Sequence, residues 1–263
     1  MRFDIDAYKR RTARLDDTDV DYDAFRTQPL DEPTLRCLRY MHDVELHTVC
    51  YLRDLLVTRA HHDPDMTTFL TFWAYEEYWH GEAIAKVLEA HGEPAGRVRV
   101  AATRARHRVV SAVSPHLSAA FSALTTHFTA VHMTWGAVNE WTTQAGYTRL
   151  AARAKNPVLS QLLERIMRQE GRHIDFYSSE AIRRLEASPA AQRLTRFALR
   201  RLWAPVGSGV MPRPEVAHMV QHLFADDDGR AMAARIDRRI DRLPGLEHLD
   251  LVSGAVDRWR LAA

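Results

Sequence analysis

The chain is poor in several residue types, and each shortage excludes something. Lysine occurs only at positions 9, 86 and 155, so almost all positive charge is arginine. There are 36 basic against 34 acidic residues, a formal charge of +2. That balance argues against a nucleic-acid binder, which needs a clear basic excess. Cys37 and Cys50 are the only cysteines. On one helix they would lie about 20 Å apart, too far to bridge. No CxxC pair exists for a zinc or rubredoxin-like module. A reduced, cytoplasmic protein is the expectation. The first 31 residues are rich in Asp and Arg and lack the apolar run of a signal peptide. Residues 109–139 lack Asp, Glu, Lys and Arg altogether, which is long enough for a membrane span. However, Pro115, His116, His127, His132 and many Ser and Thr make poor lipid-facing surface. A central helix buried by its neighbours is expected instead, with no span.

Strand signals are also scarce. No apolar/polar alternation recurs, and helix punctuation dominates. Asp31-Glu32-Pro33 opens a helix running to about Ala60, and Asp63-Pro64 opens a second reaching about His91. Residues 97–111 form a basic connection carrying Arg97, Arg99, Arg104, Arg106 and Arg108. Ser114-Pro115 opens a long third helix to about Lys155, and Asn156-Pro157 turns into a fourth reaching about Ala187. Ser188-Pro189 begins a fifth, ending near Pro205. A linker, two shorter helices and a tail after Pro244-Gly245 follow. Helices one–two and three–four read as two copies of one hairpin. The fold expectation is all-α. A ferritin-like four-helix bundle with a long crossover spans residues 1–205, and a C-terminal helical extension over residues 206–263 packs on it.

Three Glu-x-x-His pairs occur: Glu77–His80, Glu170–His173 and Glu215–His218. This spacing puts a carboxylate and an imidazole on one helix face. With 14 histidines in the chain, chance alone supplies about one such pair. Register separates them. Glu45 lies 17 residues before the first turn, near His62, and Glu77 lies 15 after it. Glu140 and Glu170 lie equally far from the second turn, at Lys155-Asn156. Two such hairpins place one Glu at mid-height on each of four helices, and two of these carry a His one turn on. That is the carboxylate di-iron arrangement of helical bundles. Two divalent ions are implied, iron or manganese. Glu215–His218 has no matching hairpin. An acid just after Pro214 suits a helix start, so this pair reads as the chance one.

Neighbouring residues have two readings each. Gly81, Gly136 and Ala137 give either close helix approach or room for a substrate, and Trp73 and Met133 either line that room or belong to the core. Thr143, three residues after Glu140, either faces the metals or bonds back to its own helix.

Two segments carry a family resemblance. They are Trp73-Ala74-Tyr75-Glu76-Glu77-Tyr78-Trp79-His80-Gly81 and Glu170-Gly171-Arg172-His173, with Glu140-Trp141-Thr142-Thr143 between them. In these the chain resembles the soluble acyl-[acyl-carrier-protein] desaturases. It is shorter than the plant members and closer to the actinobacterial type. Weaker similarity continues through residues 235–240 and 256–259. The resemblance implies Glu45 and His80 as terminal ligands of one iron, Glu140 and His173 as those of the other, and Glu77 and Glu170 as bridges. It implies oxygen-dependent removal of two hydrogens from a fatty-acyl chain held beside Thr143, with an acyl carrier protein delivering the substrate. It further implies a ferredoxin-type electron donor and a homodimer. An acidic carrier would dock on Arg97–Arg108 or on the Arg193, Arg196, Arg200, Arg201 face. Gln169 stands where the family has Asp, and Tyr78-Trp79 are bulkier than usual.

Rival di-iron families fit less well. Ile84 stands where ribonucleotide reductase subunits have a radical Tyr. Ile166 stands where arylamine oxygenases have an extra His, and ferritins usually lack the equivalent of His173. An aldehyde-deformylating oxygenase, an oxygenase of a natural-product intermediate, or a non-catalytic metal- or partner-binding bundle remain as alternatives.

Overall fold

The computed structural model describes residues 3–260, and these form helices and connecting turns without a strand. The bundle helices begin as their sequences dictate. In α3 (Glu32–Glu45) the Asp31 carboxylate accepts from Thr34 N, with Pro33 in the first turn. In α5 (Pro64–Ala90) Asp63 caps Asp65 and Met66 ahead of its proline. In α9 (Pro157–Glu186) Asn156 caps Leu159. Each cap satisfies backbone N–H groups that the first turn leaves free, and each proline sits where no N–H is needed. Two short N-terminal helices come before them, α1 (Ile5–Arg11) and α2 (Ala24–Thr27). Lys155, in the left-handed region with φ 50°, ends α8 (Phe128–Ala154) and starts the tight turn into α9.

The α3–α5 and α8–α9 hairpins pack together through α3 against α8 and α5 against α9. The core is continuous, from Leu38 and Met41 through Phe69, Trp73 and Ile84 to Leu150, Ile166 and Tyr177. Helix α10 (Pro189–Leu202) lies on α8 and α9. Helices α11 (Arg213–Phe224), α12 (Asp227–Ile240) and α13 (Leu251–Arg260) pack on one another and against α3 and α8. Arg149 of α8 pins this extension, donating to Leu223 O at 3.0 Å and to Asp226 at 2.6 Å. Asp237 of α12 caps the start of α13 by accepting from Val252 N and Ser253 N.

The structure differs from the sequence expectation in four places. The first helix is not continuous to Ala60. It breaks at Leu46-His47, resumes as α4 (Thr48–Leu56), and a 3-10 turn at Arg59–His62 completes the hairpin. No Gly or Pro announces this break. Buried Leu46 fits there because α5 presents Gly81, where a Cβ would sit 2.6 Å from Leu46 Cγ. The basic connection is helical: α6 (Gly96–Arg106) leads into α7 (Arg108–Leu124), with Pro115 inside α7. The third helix is therefore two. The chain turns at Thr125, whose backbone is extended and whose Oγ1 accepts from His127 N to start α8. Helix α7 lies outside the bundle against α4, so the uncharged stretch is only half covered. The last segment holds α13 rather than an unstructured tail.

Close packing gives opposite expectations for two glycines. A Cβ on Gly136 would lie 2.3 Å from the Tyr177 ring, while one on Gly171 meets nothing within 4 Å. Gly136→Ala should cost roughly 1–3 kcal/mol of overpacking, more than the ~1 kcal/mol gained in helix propensity. Gly171→Ala should gain up to about 1 kcal/mol. Thermal melts read both, at about 2–4 °C per kcal/mol for a chain of this size.

Candidate metal centre

Helix α5 supplies Glu77 and His80, α9 supplies Glu170 and His173, α3 ends on Glu45, and α8 supplies Glu140. All six are buried. They form two overlapping groups whose ligand atoms lie within 4.8 Å of one another: Glu45, Glu77, His80 and Glu170 in one, and Glu77, Glu140, Glu170 and His173 in the other. Glu77 and Glu170 belong to both groups. Chain ends and hairpin height thus bring together the six residues that register singled out. The third pair stands apart. Glu215 is held by Arg36 at 2.8 Å, and His218 Nε2 lies 3.2 Å from Pro33 O.

The imidazoles are held from outside. Gln169 donates its amide to Ala13 O at 3.0 Å, which turns its carbonyl oxygen toward His80 Nε2 at 2.9 Å. A carbonyl only accepts, so His80 Nε2 carries the proton and Nδ1 faces the centre. His173 repeats this arrangement. Its Nε2 lies 2.8 Å from Glu76, which also accepts from Arg172 at 2.5 Å and from the Tyr8 hydroxyl at 3.0 Å. The carboxylates have outer partners too. Trp73 Nε1 donates to Glu140 at 3.0 Å, and the Tyr147 hydroxyl donates to Glu45. Such outer bonds fix ligand orientation and basicity in metal sites.

Charge repulsion inside the cluster is severe. Burial, then the neighbouring Glu77, pushes the Glu45 carboxyl well above the usual range, and burial with Glu170 and Glu77 does the same to Glu140. Burial opposes ionisation of Glu77 and Glu170 as well. There, the neighbouring imidazoles of His173 and His80, joined at Glu77 by the Glu45 carboxyl, hold both carboxyls below the usual range. Against its own burial, His80 is pushed up to about 9 by Glu170 and Glu77. His173 is also raised, against its burial, with Tyr8, Glu170, Glu76 and Glu77 favouring its charged form. Protons thus neutralise the cluster when no cation does. His80 Nδ1 and Glu170 Oε1 face each other at 3.3 Å as an ion pair without hydrogen-bond alignment. An oxygen-rich, buried set of four carboxylates and two imidazoles, with ligand atoms within 4.8 Å of one another in each group, fits a pair of divalent cations.

Two cavities meet at the edge of the cluster. One, of about 180 Å³, is bounded by Glu77, Glu140, Trp73, Tyr51 and His47. The other, of about 70 Å³, runs between α3, α8 and the C-terminal extension, past Met41, Gly146, Met219, Phe224 and Val256. Both are bounded by Val44, Glu45, Thr143 and Val206. Thr142 bonds back to Val138 O and Asn139 O, whereas Thr143 makes no hydrogen bond among the described residues and lines both cavities.

Of the expected substrate residues, only Trp73 borders this space. Met133 and Ala137 are fully buried in the core, and Gly136 packs on Tyr177, so these three line neither cavity. Gly81 serves helix approach. Sequence reasoning missed Tyr147 and Glu76 as supports. Tyr147 shares the face of Glu140 and Thr143 at helical spacing, a signal that was there to be read. Tyr8, the Ala13 carbonyl and the C-terminal cavity wall come from distant segments that carry no local signal.

No protein-family model, curated protein or solved structure matches this chain. The case for the centre therefore rests on its own geometry.

The protonation pattern sets a pH dependence. The His80 imidazolium adds stability to the metal-free fold that is complete below the ordinary histidine range and is lost as pH rises through about 9. Glu45 and Glu140, held neutral, act in the same direction, since the fold loses stability as pH rises past the ordinary carboxyl range. Divalent cations displace these protons, so affinity rises with pH. The melting-temperature gap between metal-loaded and chelator-treated protein should therefore widen between about pH 7 and about pH 9. A constant gap would contradict this reading.

Proposed function

We propose that this chain is an oxygen-dependent di-iron oxidoreductase of the acyl-[acyl-carrier-protein] desaturase type. The observation that carries the reading is the paired carboxylate–imidazole cluster with an apolar cavity beside one edge of it. A reduced iron pair bound there would supply activation of dioxygen. The protein's own groups do the rest. Gln169 and Glu76 keep both imidazole Nδ1 atoms facing inward. Tyr147 and Trp73 hold the outer carboxylates. The free hydroxyl of Thr143 stands at the neck shared by the two cavities, placed to donate to or accept from an oxygen atom beside the metals.

A linear apolar chain suits the cavities. The narrower one is walled by Met41, Val220, Phe224 and Val252, which offer methylene-sized contacts and no charge. A chain passing through the neck would present one of its middle carbons to Glu45 and Thr143. An acyl carrier protein is the delivering partner in this reading, with a ferredoxin-type donor because the chain holds no CxxC of its own. A homodimer goes with the family resemblance. Manganese suits the same donors, so the metal is part of the test.

Metal analysis of protein from iron-supplemented cells should give about two irons per chain, and Glu77→Ala or Glu170→Ala should lose both, since each carboxylate serves both groups. The reduced protein should then consume oxygen faster when an acyl carrier substrate is added. Two irons without such stimulation would refute the desaturase reading and leave the metal site standing. Val206→Trp should close the neck: metal content stays unchanged while turnover of a long acyl chain falls about tenfold or more.

A further inference from the structure

The largest departure from ordinary surface chemistry lies on the α6–α7 hairpin. Val109, Val110, Val113, Leu117, Phe121 and Leu124 of α7 are all exposed, Val109 at 76% and Leu124 at 80%. Residues 110, 113, 117, 121 and 124 recur at three and four, one face of a helix. No other helix of the described residues exposes so many large apolar side chains. Contiguous apolar surface of this kind marks an interaction site.

The charges beside this face select the partner. Arg97, Arg104, Arg106 and Arg108 are exposed on α6 and at the start of α7, and none has an ion pair among the described residues. The only arginine of this segment with a partner is Arg99, bound to Asp43. No acid occurs between Glu93 and Glu140. A second copy seated on the same face would bring basic corners together with no acid of the hairpin to receive them. An acidic protein would satisfy the arginines but leave five turns of uncharged apolar helix to cover. A lipid surface satisfies both: anionic headgroups take the arginines, and the acyl layer takes the valines, leucines and phenylalanine. No helix of the described residues is long and apolar enough to cross a membrane, so the contact is interfacial.

We propose that the α6–α7 hairpin seats this protein on an anionic membrane surface, with α7 lying in the interface. The inference does not rest on the metal centre, and its test reads binding rather than activity. Vesicles of phosphatidylcholine with about a third phosphatidylglycerol should carry the full-length protein to the top of a flotation gradient, while pure phosphatidylcholine vesicles should carry much less. Arg104→Glu with Arg106→Glu should weaken partitioning by roughly fivefold or more per arginine. Phe121→Ser with Leu124→Ser leaves the charge unchanged and should also abolish flotation. Both positions are exposed, so circular dichroism should report an unchanged helical fold in that variant. Three results would overturn the proposal. The first is no flotation with anionic vesicles. The second is flotation that survives the serine variant, which would mean charge adsorption alone. The third is a dimer by light scattering that the serine variant splits, in a protein that ignores vesicles, which would assign the face to a second copy.

Discussion

Four carboxylates within one buried cluster are the constraint from which the rest of this structure follows. Two carboxylate charges about 4 Å apart repel by about 4 kcal/mol even at an effective dielectric of 20. Several such pairs together rival the whole stability of an ordinary domain. The cluster exists only if cations or protons occupy it. The raised carboxyls of Glu45 and Glu140 and the raised imidazoles of His80 and His173 are the proton solution. Two divalent ions are the alternative, and they bring the same net charge.

The outer partners show that the two halves of the centre are not equivalent. The residue before each double-duty Glu crosses the bundle to hold the other helix's His: Glu76 of α5 holds His173, and Gln169 of α9 holds His80. Glu76 brings a charge, shared with Arg172 and Tyr8. Gln169 brings a neutral carbonyl tied to the backbone at Ala13. The charged partner strengthens His173 as a base more than the amide strengthens His80. Gln169 thus fixes the orientation of the imidazole without the charge that an acid in its place would bring.

Much of this was legible in the sequence because it is written in local spacing. Capping residues followed by proline mark the starts of α3, α5, α9 and α10. Equal distances from two turns place Glu45, Glu77, Glu140 and Glu170 at one height. Equal height survives even though the first helix breaks at Leu46, between Glu45 and the turn, since Glu45 still meets Glu77 and Glu170. The break itself was not legible, since it depends on Gly81 of a different helix. Nor was the division of the third helix at Thr125, where a β-branched pair inside an apolar run gives no strong stop. The glycine and methionine of α8 looked like a substrate lining because periodicity tells only that a face is buried. Whether it is buried by a cavity or by the Tyr177 ring is a fact of tertiary packing.

The segments outside the four bundle helices then give the centre its direction. The N-terminal segment closes the histidine side, through Tyr8 on Glu76 and the Ala13 carbonyl on Gln169. That side is polar, hydrogen-bonded and full. The C-terminal extension closes the opposite side loosely, leaving apolar space along Met219, Phe224 and Val256 that ends at Glu45 and Thr143. A bundle alone would place both sides of its carboxylate–imidazole cluster in equivalent helix-lined surroundings. The flanking segments break that equivalence, leaving apolar space on the carboxylate–threonine side. His47, which borders the larger cavity, lies 5.9 Å ring to ring from His107 at the α6–α7 corner. The crossover that joins the two hairpins therefore reaches from the exposed basic and apolar surface to the wall of the space beside the carboxylate–imidazole cluster, and a partner bound to that surface would stand next to the cavity.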